Sequence, residues 1–258
     1  RVCTLEGQRV LTNASGFFFE RDERLFLVTS RHVVVDEPSK HFPDSLEIEL
    51  HTDSANLAES TGFSIPLYRG GKSIWRQGQD TAGEIDVAVI EIEREALPAK
   101  TVYRAFTPAH LEVDARQIEV GSLLLVVGFP LGFHDTLHHM PVVRHAVIAS
   151  SFGLRFQGEG YFLTDARTHR GTSGAPVVMR APAGSAAKGD LPWQLLGVHD
   201  EPDAAVARVV DAVVPQVLHD HRHPGAAHAL DVAQHLAQVQ TETLARQPAA
   251  HQRAHQHF

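Results

Sequence analysis

Cysteine is almost missing from this chain of 258 residues, where Cys3 stands alone. No intrachain disulfide can form, which excludes the small oxidised scaffolds and fits a reducing compartment, the cytoplasm being the expected one. The first residues, from Arg1 on, carry no basic-then-apolar leader; a periplasmic or secreted location stays open if a leader was removed. No apolar run reaches about 18 residues, so neither a transmembrane helix nor a membrane partner is expected. A basic balance is missing as well. Lys and Arg number 23 against 31 Asp and Glu, a formal charge of −8, and nucleic-acid binding needs a basic face. The sequence also lacks recurring amphipathic helices between its apolar segments, which argues against βαβ folds.

What remains reads as an all-β protein. "GFFFERDERLFLVTS" has the pattern of a hairpin with its tip near Asp22, and "LEIEL" and "DVAVIEIE" alternate as half-buried strands do. "SLLLVVGFP" is a continuous apolar run that suits a strand buried on both faces. Many short strands separated by turn residues suggest a sandwich or barrels. The irregular stretch from Leu97 to Glu119 divides the chain into an N-terminal unit, 1–108, and a second unit, 109–200. Residues 201–258 form an atypical tail rich in Ala, His and Gln. Val206, Val209, Val210, Val213 and Val217 share one helical face there, so a helical or partly disordered tail is expected. Its "HDHRH" run lacks the spacing of a structural zinc site and reads as solvated.

The chemistry concentrates in "THRGTSGAPVV", where Ser173 sits between Gly171-Thr172 and Gly174. Glycines crowd a hydroxyl when the backbone turns sharply or approaches a ligand. Acyl transfer by serine needs a base, an acid that fixes the tautomer of the base, and donors for the oxyanion. "FLVTSRHVVV" offers His32 after an apolar strand, and "GEIDVAVIEI" offers Asp86 at the start of another. Each alone has an ordinary structural reading, a surface histidine or a strand-start aspartate. Their order along the chain, His32, Asp86, Ser173, separates them from the subtilisin and α/β-hydrolase arrangements.

In these segments the chain resembles trypsin-like (chymotrypsin-fold) serine peptidases, in style the bacterial HtrA-like and glutamyl-endopeptidase-like group. "LVTSRHVV", "DVAVIEI", "LLVVGFPLG", "TDARTHRGTSGAPVV" and "LLGVH" match that group's motifs in order, over roughly residues 10 to 200. The resemblance implies two six-stranded antiparallel β-barrels with His32, Asp86 and Ser173 in the cleft between them. It implies an oxyanion hole from the N–H groups of Gly171 and Ser173, and a first side-chain pocket lined by Arg167, Thr168 and His199. Arg167 stands where Arg/Lys-specific enzymes carry an acid. Thr168 and His199 suggest a preference for Glu or Gln before the scissile bond.

The expected function is therefore a serine endopeptidase acting on proteins or peptides, with no cofactor and no metal. The resemblance stops short of a PDZ module and says nothing of oligomeric state. After His199, "HDEPDAAVARVV" replaces the family's Gly-containing substrate edge, so the last strand of the second barrel is expected to be missing or rebuilt. Two alternatives stand beside the peptidase: a binding or scaffold protein that keeps the fold without turnover, and an esterase-like hydrolase using the same three residues.

Overall fold

The computed structural model describes residues 1–80, 83–111, 117–167, 169–182, 184 and 190–200, and the backbone of 206–209. The first half runs β1 (Val2–Glu6), β2 (Arg9–Ala14), β3 (Phe17–Arg21), β4 (Arg24–Thr29), the one-turn helix α1 (Arg31–Val34) and β5 (Ser45–His51). It continues through β6 (Ser60–Pro66), β7 (Tyr68–Arg69), β8 (Lys72–Ser73), β9 (Trp75–Asp80), β10 (Gly83–Ile92) and β11 (Ala105–Phe106). Two hydrogen-bonded sheets result, β2-β1-β5-β6 and β11-β3-β4-β10-β9, with β7 and β8 as a separate hairpin. These sheets make up the first, all-β half of the expected two-barrel fold.

The sequence explains these elements. β3 and β4 pair from Phe17↔Val28 to Arg21↔Arg24, and the two residues between them, Asp22 and Glu23, both take positive φ. A two-residue turn of that hand matches the twist of the flanking strands. Leu46, Ile48 and Leu50 of β5 alternate into the core, while Glu47 faces out. β4 and the second half of β10 lie side by side, and their apolar residues are buried on both faces, so both faces of these strands are covered. Leu25, Leu27, Val33, Val34, Leu46, Ile48, Ala88 and Ile90 belong to the core of this half.

The second half contains β12 (Leu123–Gly128), β13 (Val142–Val147), β14 (Tyr161–Leu163), β15 (Pro176–Arg180), β16 (Trp193–Asp200) and β17 (Val206–Val209). Their order is β13-β12-β15-β16-β17-β14. A bridge between Ile148 and Thr164, with Ala149 N–H donating to the Leu163 carbonyl at 2.8 Å, joins the two ends. That closure makes the expected six-stranded barrel, filled by Leu124, Val126, Ile148, Phe162, Val177 and Leu196. Both halves fall within one compact unit. Among the described residues no helix is long and apolar enough to cross a membrane.

Two expectations are corrected. "SLLLVVG" is not buried on both faces: Leu124 and Val126 point into the core, but Leu123 is 68% exposed and Leu125 and Val127 are only half-buried. The wall of a barrel has one interior side, and an unbroken apolar run does not reveal it. The second correction concerns the boundary at residue 200 and the helical face beginning at Val206. Val206–Val209 is a strand that pairs with both β16 and β14. Two strands with unpaired edges outweigh a local helical period, because each pairing satisfies backbone groups that the barrel would otherwise leave open. The remainder of the tail expectation, at 201–205 and 210–258, lies outside the described residues.

Candidate active site

His32 sits in α1, directly after the buried end of β4. Asp86 lies inside β10, not ahead of it, in the stretch between Glu84 and Ala88 where the pairing with β9 is interrupted. Such an irregularity re-aims side chains. Here it directs the Asp86 carboxylate at His32 twice. The His32 backbone N–H donates to Asp86 Oδ1 at 2.9 Å, and His32 Nδ1 lies 2.7 Å from Oδ2. With Nδ1–H donating, Nε2 is left as the basic nitrogen.

The electrostatics follow. Burial alone would lower the His32 pKa, but the hydrogen bond to Asp86 and the charges of Asp86, Asp200 and Asp36 outweigh it and hold it above the usual histidine value. Burial pushes the Asp86 carboxyl up. The hydrogen bond and charge of His32, a hydrogen bond from Asp200 and the His32 N–H bring it below the ordinary aspartate value.

Ser173 is 6% exposed, in a turn closed by Thr172 N–H to the His169 carbonyl and Ala175 N–H to the Thr172 carbonyl. Gly171 and Gly174 on either side both have positive φ. A Cβ at Gly171 would overlap the Phe129 carbonyl oxygen, and one at Gly174 would overlap Ser15 O and Thr29 Oγ1. Only glycine allows these approaches. The Gly171 and Ser173 N–H groups have no acceptor among the described residues. Two adjacent unpaired donors are what an oxyanion requires.

The turn is fastened to the histidine segment across the seam. Ser15 N–H donates to the Ser173 carbonyl at 2.9 Å, Gly174 N–H to the His199 carbonyl at 2.9 Å, and Ser30 Oγ to the same carbonyl at 3.2 Å. Ser30 is two residues before His32. Among the described residues no hydrogen bond joins the Ser173 hydroxyl to the His32 ring; in unliganded sites such bonds are commonly long and tighten with substrate bound.

The pocket residues fare differently. His199 is 1% exposed and its Nδ1 has no partner among the described residues. Burial lowers its pKa from 6.5 to about 4, so the ring is neutral near pH 7. Arg167 is exposed; its carbonyl accepts from Arg144 Nη1 at 3.2 Å. Its guanidinium is therefore a surface group rather than the buried floor of a pocket. Thr168 lies outside the described residues. Beside Gly171 a groove of about 560 Å³ is lined by Pro130, Leu131, Phe133, Val142 and Val143, with Arg144 and His169 at its polar side.

Asp200 was missed by sequence reasoning. Its Oδ1 is 3.6 Å from His32 Nδ1 and the residue is buried. Its only signal in the sequence is its place immediately after His199 at the end of a strand. His32, Asp86 and Asp200 come close enough to suggest a metal group, with one atom of each within 4.8 Å of the others. However, Nδ1 and the Asp86 carboxylate are already hydrogen-bond partners of each other. No metal is assigned to the trio.

The site thus consists of a histidine–aspartate clamp from one β unit and a serine on a glycine turn of the other. A trypsin-like peptidase domain matches residues 14–185, and the chain belongs to that family. A search of curated proteins found no match. Among solved structures it is similar to the scabies mite inactivated protease paralogue S-I1, at 21% identity over 84% of this chain and 91% of that one, with a TM-score of 0.46. It is also similar to human heparin binding protein, at 16% identity over 88% and 93% of the two chains, with a TM-score of 0.48.

Proposed function

We propose that the protein is a serine endopeptidase that cleaves peptide bonds through an acyl-enzyme. The observation that carries this reading is the His32–Asp86 clamp together with two N–H groups at the Ser173 turn that have no acceptor among the described residues. Ser173 Oγ attacks the peptide carbonyl while His32 Nε2 takes its proton, and Asp86 stabilises the imidazolium. The Gly171 and Ser173 N–H groups hold the oxyanion. The imidazolium then protonates the departing amine, and water repeats the sequence to release the acid.

For the residue before the scissile bond we propose Gln or Glu. His199, buried and neutral with Nδ1 unpaired among the described residues, supports this, because a single N–H can donate to a side-chain oxygen. Burial favours the uncharged amide, so Gln leads. A peptide library scanned at that position checks it; preference for Arg or a large aromatic would sink it.

A second reading is a binding protein that keeps the fold without turnover; among the described residues no hydrogen bond joins Ser173 and His32. A fluorophosphonate probe separates the two. The peptidase labels at Ser173, and labelling is lost in Ser173→Ala and nearly lost in His32→Ala. A folded chain that never labels is the binding protein. Turnover of small esters but not peptides would mark the esterase-like alternative.

A further inference from the structure

The last residue of β16, Asp200, places a second buried carboxylate against the histidine. Two carboxyl groups in contact repel when both are ionised, and burial raises the cost. Asp86 and Asp200 lie within 4.8 Å of one another and are hydrogen-bonded, and Asp200 Oδ1 is 3.6 Å from His32 Nδ1. The counter-charges facing them are few. Arg31, on the His32 segment, acts on Asp86 from a distance, but its guanidinium is held by Glu37 at 2.8 and 3.0 Å. Glu84 from β10 also acts on Arg31, and Asp36 after α1 adds negative charge at His32. His199, the neighbour in β16, is neutral. Among the described residues, the cation that can form beside the two carboxylates is the His32 imidazolium.

We propose that Asp200 is a second carboxylate partner of His32, a positioning residue that braces Asp86 and stabilises the imidazolium formed during acyl transfer. This rests on the reading of His32 as the general base. The three groups titrate as one unit. One extra proton resides either between the two carboxyls, leaving Nε2 free to act, or on the imidazole. Taking up the serine proton while the carboxyls are ionised is then favoured by two charges instead of one. A further consequence is redundancy. Should the Asp86 carboxylate be lost, a second acceptor remains within 3.6 Å of Nδ1.

The test is the second-order rate of fluorophosphonate labelling of Ser173 as a function of pH, on the folded full chain. In the wild type the acid limb lies above the ordinary histidine value. Asp200→Asn moves it down by about 0.5–1 pH unit, as expected on removing one nearby charge. Asp86→Asn loses roughly 10²-fold, less than the ~10⁴-fold that follows loss of a lone acid, and Asp86→Asn/Asp200→Asn loses at least ~10-fold more than Asp86→Asn. A merely structural Asp200 would alter melting temperature without moving the acid limb. If Asp200→Asn does not fold, Asp200→Ser gives the same readout. Labelling with an unmoved limb, and a double variant no worse than Asp86→Asn, overturns the role of Asp200 while the peptidase reading survives. A folded wild type that never labels overturns both.

Discussion

The Ser15 hydroxyl donates to the carbonyl of Gly171 at 2.7 Å, across the seam between the two barrels. It also accepts the Phe129 N–H at 3.0 Å, while Ser15 N–H holds the Ser173 carbonyl and the Ser15 carbonyl accepts Thr29 Oγ1 at 2.7 Å. One buried residue thus holds the Gly171–Thr172 and Ser173–Gly174 peptides, which flank the peptide that carries the Ser173 N–H. Ser15→Ala leaves a buried carbonyl and a buried N–H without a partner, at about 1–3 kcal/mol each. The expected outcome is a lower melting temperature and kcat down about ten-fold with KM little changed, because the loss falls on oxyanion alignment. Unchanged kcat in a destabilised variant would show that Ser15 serves stability alone.

Gly171→Ala and Gly174→Ala separate the two sides of the turn. Both impose a Cβ on positive-φ backbone and on a neighbouring oxygen. The Gly171 change strikes the Phe129 carbonyl, so it displaces an oxyanion donor and is expected to lower the labelling rate of Ser173 ~10²–10³-fold. The Gly174 change strikes Ser15 and Thr29, which hold the barrels together, so its main effect is on folding. Thermal melts beside labelling rates distinguish these outcomes. Equal loss of stability in both variants would contradict the assignment.

How much of this was legible in the sequence depends on range. The hairpin at Asp22 and the alternation of β5 are local, set by turn chemistry and by period, and both were readable. His32, Asp86, Ser173 and Gly171 were singled out because each lies in a short motif with distinctive neighbours. Asp200 was not, since its meaning comes from a 168-residue separation to His32 that only the barrel closes. The strand at Val206–Val209 was hidden for a similar reason: its partners, at Tyr161–Leu163 and Gly197–Asp200, decide its state, and the local valine spacing favours a helix. The exposure of Leu123 in an apolar run was equally out of reach, because apolar residues occupy surfaces freely.

The groove beside Gly171 gives a further expectation. Leu131 and Phe133 are exposed and lie next to the turn, with Leu131 N–H donating to the Arg170 carbonyl. A peptide residue just after the scissile bond would cover them. Leu131→Ser with Phe133→Ser is expected to raise KM several-fold for peptides with an apolar residue at that place, at roughly 25 cal/mol per Å² of lost apolar contact. KM for peptides with a polar residue there should move little. Equal effects on both peptide sets would remove the groove from substrate binding.

The buried His199 makes stability depend on pH in a window of its own. Its pKa is 6.5 when exposed and about 4 in the fold, because burial disfavours the imidazolium. The unfolded chain therefore binds a proton that the folded chain refuses, and stability falls as pH drops from 6.5 towards 4. The full effect is about 3 kcal/mol, since each tenfold loss of proton affinity is worth ~1.4 kcal/mol. His32 has the opposite sign. Its raised pKa contributes stability that is complete below 6.5 and is lost as pH rises through its folded value, so it is flat where His199 acts. Asp86, held below 3.8, loses its contribution only as pH falls further. Denaturant unfolding between pH 7 and 4 should show a decline that His199→Gln flattens, since the amide is neutral throughout. A decline of the same size in His199→Gln would mean that other groups control acid sensitivity and that the His199 ring takes up its proton without cost.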